Sequence, residues 1–170
     1  GGILRLMGIA EAGHGEVLTG QEIRSLVATS AEHGEVTIEH ADLIHNIFAF
    51  DERHVERVMI SRLECNVLRL DATAAENIEA IRSTRHSRFP VMDGGFDNIV
   101  GIVLAKDLFD AMLSGNENPW SDLKSFCRKP LVVPETFRVG NLFEMMRAEH
   151  AHMALVIDEY GGTDGLVSLE

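Results

Sequence analysis

Two side chains in the middle of the sequence have the chemistry to hold a phosphorylated nucleoside. Arg88 opens a short apolar run typical of a buried strand, and a guanidinium group can donate two parallel hydrogen bonds to a phosphate. Asp107 follows the next apolar run, where a helix is predicted to begin, and its two oxygens can accept both hydroxyls of a ribose. A flat apolar slot offered by Val67, Phe89 and Pro90 would accept an adenine ring. The alternative interpretation is that Asp107 is an ordinary carboxylate at a helix start and Arg88 a surface ion-pair partner.

Side chains suited to catalysis or metal binding form no recognisable pattern in the sequence. There are 8 histidines and 27 acidic residues, yet no HExxH motif, serine elbow or glycine-rich phosphate loop. Cys65 and Cys127 lie too far apart for a CxxC pair, and Cys65 is expected to be a packed core residue. His150 and His152 are expected at a solvated helix end rather than on a metal ion. We therefore predict a binding module that is not an enzyme and holds no metal.

The composition excludes several other classes of function. The chain has 170 residues and a formal net charge of −12, which disfavours binding to nucleic acid or to an anionic membrane. No apolar run approaches the roughly 18 residues of a membrane-spanning helix. The chain begins Gly1-Gly2 without a methionine, so we expect either a soluble fragment of a larger protein or a chain that carries a residual tag. The two widely spaced cysteines favour an intracellular protein.

The elements that must position these side chains occur twice, at an offset of about 65 residues. Each copy has an amphipathic helical segment followed by two short apolar strands, predicted at 88–92 and 99–104, then at 153–157 and 164–168. We predict an α/β (α+β) fold of two units, each a small sheet with flanking helices. The first unit is expected at 55–115 and the second at 116–170, truncated before its last helix.

A helical segment is predicted ahead of the two units, over residues 1–54. Thr19 is placed to cap a helix that closes near Gly34, and a second helix begins at Thr37. Residues 7–17 are rich in glycine and glutamate and are expected to form a flexible loop.

Together, the repeated motifs resemble a tandem pair of CBS domains (a Bateman module) of the CorC/HlyC family, which is related to the CNNM magnesium transport mediators. The resemblance covers about residues 55–170, and its last motif is the most specific. The motifs are Val58–Arg62 (VMISR), His86–Val91 (HSRFPV), Asp97–Gly101 (DNIVG), Lys106–Leu108 (KDL), Val133–Thr136 (VPET), and His152–Thr163 (HMALVIDEYGGT) running into Gly165–Glu170 (GLVSLE).

This resemblance implies a regulatory module on the cytoplasmic side of the plasma (inner) membrane, within a larger protein linked to magnesium and cobalt efflux. It implies that an adenine nucleotide (AMP, ADP or ATP, with or without Mg²⁺) binds in the cleft between the two units. The expected partners are a second copy of the chain, in a homodimer, and the upstream membrane domain and downstream domain of the full-length protein. The alternative is a purely structural dimerisation module whose cleft binds no nucleotide.

The resemblance also implies which residues line the nucleotide site. Asn66 and Val67 would form the base pocket, and the strand-to-helix motif ending at Asp107 would supply a carboxylate for the ribose. The remaining implied residues form the wall and the phosphate contacts, or match the motif in the second unit: His86, Ser87, Arg88, Phe89, Pro90, Leu104, Gly165 and Ser168.

Three departures from the family pattern make the two copies unequal. Ile60-Ser61 stands where the family usually has Thr-Pro, and Leu104 stands where a hydroxyl is common. The second-unit equivalent of Asp107 would follow Glu170, beyond the end of the sequence. We therefore predict one dominant nucleotide site, built from Arg88 on one copy and Ser168 on the other.

Overall fold

A computed structural model describes residues 18–116 and 118–169 of the chain. The predicted loop at residues 7–17 therefore lies outside the described residues. The chain divides between Ala49 and Phe50 into two compact units.

The helices and strands, in chain order, begin with two helices, α1 (Gly20–Glu32) and α2 (Ile38–Glu52). The next elements are β1 (Ile60–Ser61), β2 (Leu68–Arg69), α3 (Ala74–Thr84), β3 (Arg88–Asp93), β4 (Gly95–Leu104) and α4 (Ala105–Leu113). The last are β5 (Leu131–Pro134), α5 (Val139–Ala148), β6 (Met153–Ile157) and β7 (Thr163–Ser168). Short 3₁₀ segments at Val55–Arg57 and Pro119–Phe126 precede β1 and β5. The predicted mixed α/β architecture is confirmed.

The compact unit that ends at Ala49 contains α1, whose N-terminus is capped as predicted. Thr19 accepts a hydrogen bond from the backbone N–H of Glu22, and the Glu22 carboxylate accepts one from the Thr19 backbone N–H at 2.6 Å. These bonds lower the pKa of Glu22. The Arg24 guanidinium carbon lies 5.0 Å from the centroid of the Phe48 ring in α2. Among the described residues, no helix is both long enough and apolar enough to cross a membrane.

The strands form two sheets of the same internal design. In the order β2-β3-β4, β2 runs parallel to β3, and β4 runs antiparallel to it. The order β5-β6-β7 repeats that pattern in the second sheet, which β1 then extends next to β7. The registers match, because Val91 pairs with Gly101 in one sheet and Val156 pairs with Gly165 in the other. The duplicated design that the sequence indicates is therefore present in the backbone.

Each copy completes the sheet of the other through the segment that precedes it. Strand β1, ahead of the first copy, pairs Ile60 with Leu166 of β7. The segment ahead of the second copy pairs Arg128 with Ile102 of β4, with both backbone hydrogen bonds at 2.9 Å. Ile60 and Arg128 therefore occupy equivalent positions in the two halves of the fold.

Both crossing segments approach a glycine that has no room for a side chain. A Cβ atom at Gly101 would lie 2.6 Å from the Cys127 Cβ and 2.9 Å from the Arg128 carbonyl oxygen. At Gly165 it would collide with the Ile60 carbonyl oxygen. The two glycines thus allow the backbone of each crossing segment to lie against the neighbouring sheet.

The core consists of a cluster within each copy and another between the sheets. Phe89 is fully buried in the first cluster, whereas Ala154 occupies the matching strand position in the second. Met146 is buried and Met145 packs beside it in the second cluster. The cluster between the sheets draws on both copies and consists of Ile102, Met153, Leu155 and Leu166.

The most specific sequence motif forms the turn between β6 and β7. The Asp158 carboxylate accepts hydrogen bonds from the backbone N–H groups of Tyr160 at 2.9 Å and Gly162 at 2.8 Å. Asp97 of the first copy accepts a bond from the Thr163 N–H at 3.1 Å. The described contacts of this motif therefore stabilise a turn and tie it to β4.

Candidate ligand-binding site

A cavity of about 220 Å³ lies next to the apolar cluster between the two sheets. It brings together four of the residues predicted from the sequence, which are Asn66, His86, Arg88 and Ser168. The other residues that line it are Ile60, Glu64, Cys65, Met153 and Leu166. The cavity therefore takes its polar groups from loops and strand ends of both copies.

The local fold explains how the four polar side chains meet. Asn66 lies in the loop between β1 and β2, and Arg88 is the first residue of β3. His86 follows a turn in which Arg85 adopts the left-handed conformation (φ 58°) and ends α3. Ser168 is the last residue of β7, directly opposite Met153 of β6. The site thus lies at the edge where β3 begins and β7 ends.

The polar rim already contains contacts between its own members. The Asn66 Nδ2 and His86 Nε2 atoms are 3.5 Å apart, and the His86 ring centroid lies 6.1 Å from that of Phe89. The Ser168 hydroxyl donates a hydrogen bond of 3.5 Å to the His152 carbonyl oxygen. Apolar side chains of Ile60, Met153 and Leu166 form the rest of the lining. An apolar floor with a polar rim suits a ligand that has one flat apolar part and one polar or anionic part.

Cys65 lines this cavity and is half-buried. It also packs against the cluster between the sheets, as expected of a core cysteine. Burial, together with the nearby Glu64 carboxylate, raises the pKa of its thiol to about 11. Burial likewise raises the pKa of Cys127. Both thiols are therefore protonated at neutral pH, the inert form of cysteine.

The predicted slot for an adenine ring is not available in this cavity. The side chains of Phe89 and Pro90 are both buried, and Phe89 faces the core of the first copy. The reason is strand alternation, since Phe89 and Arg88 point to opposite faces of β3. Val67 is half-buried and does not line the cavity. The apolar lining comes instead from Ile60, Met153 and Leu166.

The remaining predicted residues also lie outside this cavity. The Asp107 Oδ2 atom accepts a hydrogen bond of 2.7 Å from Arg128 Nη2, so this carboxylate faces a guanidinium group. Ser87 and Leu104 line a different surface cleft near the start of α4. Gly165 provides the close approach of β1 described above.

Five lining residues were not predicted from the sequence, and they reach the cavity in three ways. Strand alternation could have found Leu166, because it lies two residues before Ser168 and faces the same way. Ile60, Glu64 and Cys65 reach the cavity because β1 joins the sheet of the other copy, which no local sequence pattern indicates. Met153 is placed by its register opposite Ser168.

A metal ion in a protein is held by several His, Cys, Asp or Glu side chains that lie close together. Within residues 18–116 and 118–169, no three or more His, Cys, Asp and Glu side chains cluster in a way that would do so. His150 lies just after α5 in the left-handed conformation, at φ 52°, and its side chain is exposed, as is that of His152. Their predicted position at a solvated helix end is confirmed.

Comparison with known families decides the identity of the fold. The model of the CBS domain matches residues 55–114 and again residues 121–170. The chain is a tandem CBS-domain pair. The magnesium and cobalt efflux protein CorC of Escherichia coli strain K12 is 34% identical over 157 residues, which is 92% of this chain and 53% of that protein. The chain therefore spans about half the length of this relative.

Solved structures place the CBS pair within the CNNM/CorC family. The CBS domain of a bacterial CNNM/CorC family Mg²⁺ transporter superposes with a TM-score of 0.78 and 32% identity, over 90% of this chain and 92% of that one. A CBS domain of that family solved in complex with ATP is 36% identical, with a TM-score of 0.68, over 75% of this chain and 89% of that one. The resemblance noted in the sequence is thereby confirmed at the level of family and fold.

Proposed function

We propose that this CBS pair is a regulatory module that binds one adenine nucleotide in the cavity between its sheets. The observation that carries the proposal is the convergence of Asn66, His86, Arg88 and Ser168, from four separate elements, on one cavity with an apolar floor. The related CBS domain solved with ATP supports the choice of ligand class. AMP, ADP and ATP, each with or without Mg²⁺, are the candidates to compare.

The lining suggests a role for each group. The apolar side chains of Ile60, Met153 and Leu166 would cover one face of the base. Asn66 has an amide that can both donate and accept hydrogen bonds, which suits the polar edge of a base. Arg88 would bind phosphate through its guanidinium group, and the Ser168 hydroxyl would bind the ribose.

Nucleotide binding would act on the rest of the protein through β1. Ile60 lines the cavity, and the chain leads back from it to the buried Val55, whose N–H donates to the Phe137 carbonyl at 2.8 Å. The Val139 N–H likewise donates to the Arg53 carbonyl at 2.8 Å. Suppose that a nucleotide binds more tightly when β1 lies in one of two positions. Its binding would then raise the population of the conformation at the end of α2 that goes with that position.

The variant Arg88→Ala tests the phosphate role. Loss of a charge-assisted hydrogen bond should weaken AMP binding by about 1.5–3 kcal/mol, measured by titration calorimetry. Arg82→Ala removes an exposed arginine from α3 and is the matched control. Equal AMP affinity of the wild type and Arg88→Ala would remove Arg88 from the site.

A thermal-shift panel tests the ligand class itself. AMP, ADP and ATP, with and without Mg²⁺, should raise the melting temperature, because a ligand that binds only the folded state stabilises it. S-adenosylmethionine is included as an adenosine compound without phosphate. No shift at millimolar nucleotide would favour the alternative, a structural module with no nucleotide.

The proposal extends to the parent protein and its assembly. We infer that the module is non-catalytic, lies on the cytoplasmic side of a membrane protein of magnesium and cobalt efflux, and forms a homodimer. Phe109, Met112 and Leu113 of α4 are exposed, which favours α4 as part of the dimer contact. Light scattering should report twice the mass of one chain.

A further inference from the structure

A second cleft, of about 420 Å³, shares Arg88 and Met153 with the cavity described above. Its lining has more cationic than acidic side chains, in a chain with a net charge of −12. Three of the ten lining residues are cationic, namely Arg88, Arg128 and Lys129, and the imidazole rings of His150 and His152 also line the cleft. Glu149 is the one acidic residue among the described residues that line it. Such a concentration of cationic side chains attracts small anions.

The internal repeat shows how this cleft differs from the first one. Ile60 and Arg128 occupy equivalent positions, since each pairs with the middle of the last strand of the other copy. Ile60 contributes an apolar side chain to the first cavity, and Arg128 contributes a guanidinium group to the second cleft. Residues at equivalent positions therefore favour an apolar ring in the first cavity and an anion in the second cleft.

Among residues 18–116 and 118–169, the groups that would hold a ribose are replaced or already bonded at the second cleft. Leu104 lies opposite Arg88 in its sheet, as Ser168 lies opposite Met153, so leucine replaces the hydroxyl. The Asp107 carboxylate, which would bind the ribose hydroxyls, is bonded to Arg128 at 2.7 Å. A nucleoside would lose both of its specific contacts here.

We propose that this cleft binds a small phosphate-type anion without a nucleoside, with pyrophosphate as the representative ligand. Arg128 donates a hydrogen bond to Asp107, and a guanidinium group has five N–H donors in all. Two backbone hydrogen bonds to Ile102 at 2.9 Å fix the backbone of Arg128 at the cleft. Lys129 follows it in the sequence and also lines the cleft. The proposal rests on the proposed function only in assigning the nucleotide to the other cavity.

Calorimetric titrations of the full 170-residue chain with sodium pyrophosphate and with AMP test this assignment. Lys129→Ala should weaken pyrophosphate binding about tenfold or more and leave AMP binding within about twofold. Asn66→Ala, at the first cavity, should have the reverse effect. Lys124→Ala removes an exposed lysine that does not line the cleft and is the matched control.

A competition experiment separates the two sites. Arg88 borders both clefts, so saturating AMP should weaken pyrophosphate binding only in part, and pyrophosphate should still bind. If saturating AMP abolishes pyrophosphate binding, the anion occupies the nucleotide cavity and the proposal is overturned. If AMP does not bind at all, the proposed function fails, while the pyrophosphate titrations still decide the second site.

A second variant tests the same cleft if Lys129→Ala does not fold. Arg128→Ile places at this position the residue found at the equivalent position of the other half, and the Arg128 side chain is 62% exposed. It should reduce pyrophosphate affinity about tenfold or more with little change in melting temperature. Unchanged pyrophosphate affinity in both variants would contradict the proposal.

Discussion

The two halves of this CBS pair share a backbone and differ at matched side chains. Ile60 in one half corresponds to Arg128 in the other, and Ser168 corresponds to Leu104. The sheets and their registers are nevertheless alike, and the two residues of each pair occupy equivalent positions in the two halves. A duplicated fold can thus present two clefts of different ligand chemistry.

The cores of the two halves show a third exchange. Phe89 fills the core of the first copy, and Ala154 stands at the matching position of the second, where Met146 and Leu142 complete the packing. The sizes of the side chains differ, yet both clusters are closed around their own helices. The comparison therefore separates residues that hold each copy together from residues that face a cleft.

The largest expected effect comes from making the two cores alike. Phe89→Ala places in the first copy the residue that the second copy has, without the compensating packing, and should lower the free energy of unfolding by about 3–5 kcal/mol. Urea denaturation measures the loss. Phe109→Ala, at a side chain of α4 that is 41% exposed, should lose less than about 1 kcal/mol. If Phe89→Ala lost little free energy of unfolding but bound AMP much more weakly, Phe89 would be part of the ligand site and not of the core.

A smaller effect is expected where the crossing strand meets its glycine. Gly165→Ala should lower the free energy of unfolding by about 1–3 kcal/mol, because the new methyl group collides with the Ile60 carbonyl oxygen. Gly95→Ala is the matched control, since a methyl group there meets no atom within 4 Å. Equal melting temperatures of the two variants would mean that β1 does not lie against β7 as described.

The smallest effect on the fold is expected from chemical labelling of the two cysteines. Cys65 lines the nucleotide cavity, and Cys127 packs against the core of the first copy. With a pKa of about 11, Cys65 should react with iodoacetamide roughly a hundredfold faster at pH 10 than at pH 8, because its thiolate fraction rises by that factor. Labelling is followed by peptide mass spectrometry in the variant Cys127→Ser, in which Cys65 is the remaining cysteine.

Saturating AMP should slow the labelling of Cys65 in this variant. In Cys65→Ser, the labelling of Cys127 should not change with AMP, since Cys127 packs against the core of the first copy. Equal labelling of Cys65 with and without AMP would place the nucleotide elsewhere.

Much of the fold could be predicted from the sequence because its signals are local. The strands at β3, β4, β6 and β7 are short apolar runs, and the capping box at Thr19 marks the start of α1. The internal repeat predicts two copies of one design, and the structure has them.

The site could be predicted only in part, because it depends on non-local pairing. Arg88 and Ser168 were expected together and do line one cavity. The position of Phe89 depends on which face of β3 meets the helices, and the environment of Asp107 depends on a residue 21 positions away, Arg128. The crossing of β1 into the other sheet, which brings Ile60 and Cys65 to the cavity, has no local signature.

The stoichiometry of nucleotide binding tests the central claim most directly. Equilibrium dialysis of the 170-residue chain against AMP and ATP should give one nucleotide per chain. The first cavity offers the Ser168 hydroxyl to a ribose, whereas leucine stands at the equivalent position of the second cleft and Asp107 is bonded to Arg128. Two equivalent nucleotides per chain, or none at millimolar concentration, would contradict the account.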